Sequence, residues 1–384
     1  MLFKLTDEQL MIRNMVREFS RKVIAATASE RDKTKAFPAE NFRQMGELGL
    51  MGMMIPENYG GEAADAVSYV LALSEIAYSC ASTSVVMSVQ NSIVCESLLK
   101  FGTEEQKLGF LVPLASGDII GAFALTEPDA GSDPVSQTTT AVREGDTYVI
   151  NGTKRFITSG ENSSLVLVTA KTDESAGHRG ISCFIVPKGT PGLVVGHLED
   201  KMGLRASDTT DLLFENCRVP CANILGREGD GFKIAMSGLD SGRIGIAAQS
   251  LGVAQAAFDA AVKYAQTRKQ FGSAISKHQA IRFQIADMAT QIEAARQLIF
   301  SAASMKDRKE PYTKEASIAK LFASEMVNKV TARAIQIHGG YGFTKDYNVE
   351  RYYRDARVFT IYEGTSEIQR MVISNHVLRD KRKP

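Results

Sequence analysis

The sequence predicts an α+β fold, mainly helical, with a helical block, a β block and a second helical block in that order. Three observations predict it: apolar residues at helical spacing from Thr6 to about residue 116, β-branched runs between Gly121 and Gly226, and long alanine-rich helical patterns after residue 230. The corresponding units are expected at 1–120, 121–229 and 230–384. Strands are not interleaved with helices, so a doubly wound sheet is not expected.

The first helix opens at Thr6, which with Gln9 forms a capping-box pattern ahead of apolar Met11, Met15, Phe19 and Val23. Residues 56–61, Pro-Glu-Asn-Tyr-Gly-Gly, break the helical pattern. In the β block, 148–150 and 155–157 flank Asn151-Gly152, which predicts a hairpin with its turn there. Further strands are expected at 165–170, 181–186 and 211–214. Residues 226–231 read as a linker, and 244–267, 280–306 and 313–337 as the helices of a bundle.

Lysine plus arginine (45) nearly balances aspartate plus glutamate (44), which leaves no field for phosphate backbones or membrane surfaces. Neither nucleic acid nor membrane insertion is expected. The five cysteines lack CxxC spacing, which suits free thiols in a reducing compartment and no metal site. No signal or transit pattern opens the chain, and the apolar stretch 82–89 is far short of the roughly 20 residues of a spanning helix. The chain reads as cytoplasmic. GxGxxG after a strand, GxxxxGK[ST] and HExxH are all absent, so a Rossmann dinucleotide site, a P-loop and a zincin site lose support.

Four segments carry candidate chemistry. Residues 123–133, FALTEPDAGSD, suit a loop whose backbone approaches a ligand, or an ordinary connection into the β block. Residues 155–160 put an aromatic and hydroxyls at a strand end, a pattern that plain β core also shows. Residues 336–343 place three glycines after a long helix, as a helix stop or as close approach to a bulky group. His338 reads as structural. In 361–370, IYEGTSEIQR, Thr365 or Ser366 suits a helix cap and Glu367 a first-turn acid. Glu363, beside Ile361 and Tyr362, is either a desolvated base or a solvated loop acid.

Together the phrases FALTEPDAGSD, NGTKRFITSG, ILGREGDGFKIAM, LDSGRIGIA, TRKQFG, IHGGYGF, YRDAR and IYEGTSEIQR resemble the acyl-CoA dehydrogenase family, above all its short-chain (butyryl-CoA) branch. The likeness covers essentially the whole chain. It implies an N-terminal helical domain, a middle β domain and a C-terminal four-helix bundle, with FAD between the last two. Phe123, Leu125, Thr126, Gly131, Ser132, Phe156, Ile157 and Thr158 are then expected at the flavin. Arg268, Phe271, Gln279, Gln336, Ile337, Gly339 and Gly340 are expected at the adenosine diphosphate part of a neighbouring subunit's cofactor. Thr365, Ser366 and Glu367 complete that pocket, while Ser132, Asp240, Arg243 and Gly364 match acyl-CoA contacts.

The resemblance further implies α,β-dehydrogenation of an acyl-CoA, with Glu363 taking the α-proton and the β-hydride passing to flavin N5. Partners implied are electron-transfer flavoprotein and further copies of the chain, as a homotetramer built from two dimers. Some relatives place the base at the position of Gly242, which cannot serve. Relatives usually carry Trp where this chain has Phe156, a difference at the electron-acceptor surface; glutaryl-CoA-specific relatives carry Arg at the position of Ser84, so Ser84 and Gly242 together imply a short, uncharged acyl group. The alternatives are an acyl-CoA oxidase, a dehydrogenase for branched or alicyclic acyl-CoA, and a silent acyl-CoA-binding scaffold.

Overall fold

The computed structural model describes residues 4–378 and has the expected α+β, mainly helical architecture. The first block comprises α1 (Asp7–Phe19), α2 (Ala25–Thr34), α3 (Ala39–Glu47), α4 (Ala66–Ser79), α5 (Ala81–Ser88), α6 (Glu96–Phe101), α7 (Glu104–Gln106) and α8 (Val112–Ala115). Thr6 caps α1 as its spacing predicts: the hydroxyl accepts the Gln9 N–H at 3.1 Å, and Gln9 Oε1 accepts the Thr6 N–H at 3.0 Å. Nearly every residue of α4 and α5 is buried, so this pair is a central layer rather than a surface one.

The β block comprises β1 (Gly121–Ala124), β2 (Thr140–Glu144), β3 (Thr147–Thr158), β4 (Leu165–Lys171), β5 (Ile181–Pro187), β6 (Leu193–Leu198), β7 (Thr209–Pro220) and β8 (Ile224–Leu225). They form one mixed sheet in the order β6-β7-β3-β2-β4-β5-β8, with β1 parallel to β4. β2 meets β4 only at Thr140 and Lys171, so the sheet divides into two leaves. Ile150 and Phe214 from one leaf share a core with Val168 and Phe184 from the other. On the opposite side, Leu165, Leu167 and Ile185 pack on Val94, Leu98 and Leu111, which fastens the sheet to the first helical block.

The hairpin expected at Asn151-Gly152 is not there. Residues 147–158 run as a single strand, and the reversal lies earlier, at Gly145-Asp146 between β2 and β3. Gly152 (φ +149°) marks a register shift against β7, and a Cβ at this position would lie 2.4 Å from Thr139 Oγ1. The glycine serves close approach, not a turn.

The third block comprises α9 (Gly231–Thr267), α10 (Gln279–Asp307), α11 (Thr313–His338), α12 (Val349–Ala356) and α13 (Ser366–Leu378). α9 starts at Gly231, well before the expected residue 244, because glycines that dilute its helical pattern are packing contacts. A Cβ at Gly231 would meet the Ser182 main chain at 2.5 Å, and one at Gly245 would meet Ser88 Oγ at 2.3 Å. Between α9 and α10 a small hairpin pairs β9 (Lys269–Gln270) with β10 (Ser273–Ala274), its tip Phe271-Gly272 holding φ of +51° and +78°. Among the described residues no helix is long and apolar enough to cross a membrane, and no cluster of metal-ligating side chains is found.

Candidate active site

Thr365 caps α13, its Oγ1 accepting the Ile368 N–H at 3.3 Å. Immediately before it, Glu363 (φ +51°) and Gly364 (φ +91°) both take left-handed backbone. For a glutamate this costs on the order of 1–3 kcal/mol, so its surroundings must enforce it. Gln369 Nε2 donates to the carbonyls of Glu363 (3.2 Å) and Gly364 (2.9 Å), and Lys320 Nζ on α11 donates to the Gly364 carbonyl at 2.7 Å. On the other side, Tyr362 stacks on Phe359 and donates its hydroxyl to Gln249 Oε1 at 2.5 Å. Gln249 Nε2 in turn donates to Ser84 Oγ (2.9 Å) and the Ala81 carbonyl (2.8 Å).

The Glu363 side chain is half-buried overall, yet its Oε2 is enclosed and has no hydrogen-bond partner. Burial pushes the carboxyl up to about 7, against the opposing pull of Lys320 and Arg243. Its carboxylate faces Gly242 of α9, where a Cβ would lie 2.1 Å from Oε2. Any side chain at 242 would expel the glutamate from this position. One residue on, Arg243 is buried and donates to Asp240 Oδ1 at 2.6 Å, while Asp240 Oδ2 accepts the Thr313 hydroxyl at 2.6 Å. Burial lowers Lys320 to about 8, with Glu363 opposing.

A second group lies in the β block. Phe123 is on β1, followed by half-buried Leu125 and Thr126 and then by exposed Gly131 and Ser132. This loop is tied down by a fully buried lysine: Lys154 Nζ donates to Glu127 Oε1 (2.8 Å), Gln137 Oε1 (3.0 Å) and the Leu125 carbonyl (3.1 Å). Glu127 also accepts from the Thr138 and Thr139 N–H groups. Burial would raise Glu127, but Lys154 and those donors hold it down to about 2. On β3, Phe156 (φ +58°) is 56 % exposed, Ile157 points into the core and Thr158 is half-buried. The bulge that turns Phe156 outward falls between Lys154 and Ile157.

A third group is surface-exposed and comprises Arg268, Phe271, Gln279, Gln336, Gly339 and Gly340. Phe271 is 97 % exposed at its hairpin tip, and a Cβ on Gly339 or Gly340 would meet nothing within 4 Å. Ile337 is core, and His338 is buried with Nδ1 2.7 Å from the Ala334 carbonyl and its ring stacked on Tyr264. Arg268 caps the far end of α9 from Arg243, about 37 Å along the axis at about 1.5 Å per residue. Within one chain the third group therefore lies apart from Glu363. Ser366 is buried at the start of α13 and Glu367 exposed.

Sequence reasoning missed Lys320, Gln369, Gln249 and the Lys154–Glu127 pair. The available signal was a lysine within the buried small-residue face Ala316, Ala319 and Ala323, and a lysine alternating into the core of a strand. The residues fit a large planar cofactor in two respects: Phe156 is an exposed aromatic, with the Arg155 guanidinium 5.1 Å from its ring centroid, and the glycines at 131, 339 and 340 leave open surface above the backbone.

Three family models cover the chain: the acyl-CoA dehydrogenase N-terminal domain over 6–118, the middle domain over 122–217 and the C-terminal domain over 229–378. The mitochondrial short-chain specific acyl-CoA dehydrogenase of Rattus norvegicus is 50% identical over 379 residues, covering 99% of this chain and 92% of the relative. Butyryl-CoA dehydrogenase from Megasphaera elsdenii superposes with a TM-score of 0.97 at 46% identity, covering 99% of this chain and 100% of that one. A chain solved in work on the electron transferring flavoprotein of Acidaminococcus fermentans gives 0.98 at 50% identity, covering 99% and 100%. With the fold and all three family domains in agreement, the chain belongs to the acyl-CoA dehydrogenase family.

Proposed function

We propose that the protein oxidises short-chain acyl-CoA thioesters to 2-enoyl-CoA, with Glu363 as the base that removes the α-proton. The observation that carries this is the enclosed, unpartnered Glu363 carboxylate, pushed up to about 7. A base titrating near neutral pH combines a useful ionised fraction with useful basicity. Its strained backbone, held by Gln369 and Lys320, keeps the carboxylate in one place, so its approach to a bound thioester needs no reorganisation. The Glu363 N–H is a fixed donor suited to the thioester oxygen as charge develops there.

The family is FAD-dependent, and bound FAD supplies the hydride acceptor. Phe123, Leu125, Thr126, Gly131, Ser132, Phe156, Ile157 and Thr158 would hold the flavin. The buried cores around Ile157 and Ile337 leave those two only backbone contacts. Arg268, Phe271, Gln279, Gln336, Ile337, Gly339 and Gly340, with Thr365, Ser366 and Glu367, would hold the adenosine diphosphate part, the first seven across a subunit interface. The open surface of this third group and its separation from Glu363 along α9 support that division. Asp240, Arg243, Ser132 and Gly364 would bind acyl-CoA. The reading assigns these roles to units at 1–120, 121–229 and 230–384, in a cytoplasmic homotetramer that passes electrons to electron-transfer flavoprotein. A short, uncharged acyl chain suits the neutral Ser84–Gln249–Tyr362 chain of hydrogen bonds.

The test is stopped-flow flavin reduction by butyryl-CoA without external acceptor. Glu363→Gln keeps size and hydrogen bonding, so it should retain FAD and bind acyl-CoA yet lose roughly 10²–10⁴-fold in reduction rate. A wild-type rate in this variant rules out Glu363 as the base.

A further inference from the structure

The buried lysine of α11 holds the Gly364 carbonyl, a task that needs a donor but no charge. Lys320 is fully buried between Ala316, Ala319 and Ala323, where a methionine would pack without desolvating a charge. Among the described residues it forms no ion pair within 4 Å, and its side chain donates to a neutral acceptor, the Gly364 carbonyl at 2.7 Å. A buried ammonium without a paired carboxylate is costly, so it is retained where its charge is used elsewhere.

The same carbonyl already has a neutral donor. Gln369 Nε2, also fully buried, reaches it at 2.9 Å and spans to the Glu363 carbonyl as well. What the lysine adds to glutamine is positive charge beside Glu363, whose Oε2 has no partner of its own. We propose that Lys320 is the positioning residue of the base: it fixes the left-handed Glu363–Gly364 peptide and provides the buried cation that keeps Glu363 ionised when substrate arrives. This rests on Glu363 being the base.

The other groups facing this carboxylate do not replace it. Arg243 of α9 also pulls on this carboxylate, but less than Lys320 does, and its guanidinium is already paired with Asp240 Oδ1 at 2.6 Å. Tyr69 of α4 is buried and Tyr362 partly so, and desolvation raises both hydroxyls, so they stay neutral. Glu367 of α13 is exposed and acts on Lys320 only as a weak opposing charge. With Lys320 removed, one engaged arginine would remain against the full cost of burying the carboxylate.

The test uses two variants of the holoenzyme. Lys320→Gln keeps an N–H donor but loses the charge; Lys320→Met loses both. Glu363 protonation is followed directly by pH-titrated infrared difference spectroscopy, its carboxyl band assigned by its disappearance in Glu363→Gln. Flavin reduction by butyryl-CoA is measured over the same pH range. Both variants should raise the Glu363 midpoint by about one pH unit or more, tenfold in proton affinity. The rate lost at pH 7 should return toward wild type at pH 9, with KM unchanged. Should Lys320→Met fail to fold, Lys320→Gln still decides, because it keeps an N–H donor while Gln369 continues to hold the Gly364 carbonyl. An unchanged midpoint in Lys320→Gln, or a rate loss equal at every pH, overturns the proposal. A wild-type reduction rate in Glu363→Gln instead overturns the assignment of the base and is seen without any lysine variant.

Discussion

Glu363 couples chemistry to stability at a single residue. Its folded pKa, about 7, stands above the ordinary carboxylate value of 4.5, so the unfolded chain releases this proton first. The stabilising contribution is complete below about 4.5 and is lost as pH rises through about 7. Glu363→Gln has no such titration and should gain stability over wild type between pH 5 and 7, by roughly 2 kcal/mol. Denaturant unfolding of both proteins at the two pH values measures the gap; an equal gap at both would mean that the carboxylate is not desolvated. The sequence showed that Glu363 adjoins apolar Ile361 and Tyr362, a setting in which a solvated loop acid is the commoner outcome. Its carboxylate faces Gly242 and its backbone is held by Lys320, both on helices remote in sequence, and no local pattern carries such contacts.

At the scale of elements, the Lys154–Glu127 pair joins β3 to the loop after β1. Removing one partner of a buried pair leaves the other charge uncompensated, so Lys154→Met should cost about 3–5 kcal/mol and loosen the loop bearing Thr126 and Ser132. Because Glu127 is held down at about 2, the pair's contribution is present above the ordinary carboxylate range and lost as pH falls toward 2. Wild type should therefore lose more stability than Lys154→Met between pH 5 and 3, alongside a weaker grip on FAD in the variant; a loss under 1 kcal/mol would make the pair incidental. Continuous apolar runs made β4 and β5 legible, and alanine-rich periodicity made α10 and α11 legible. Asn151-Gly152 and the early turns of α9 misled for one reason: a glycine chosen for a neighbour's approach looks locally like a glycine chosen for a turn.

Over the whole molecule, the succession of blocks was legible because the hydrophobic period changes from helical to alternating and back. The expectation of an assembly came from the resemblance alone, since surface aromatics have no period. Phe271 and Phe343, 97 % and 89 % exposed, are costly on an isolated subunit and suit a contact with a second copy. Phe271→Asp should lower both oligomer mass by light scattering and FAD retention on gel filtration; loss of neither would place the cofactor wholly within one chain. The length of α9 then has a genetic consequence. On the shared-site reading, each chain contributes its Glu363 to one centre and its Arg268 to another. A chain with Glu363→Gln and a chain with Arg268→Ala, each defective alone, would pair so that both lesions fall in one centre and leave its twin intact. Two damaged alleles expressed together would restore an activity that neither encodes.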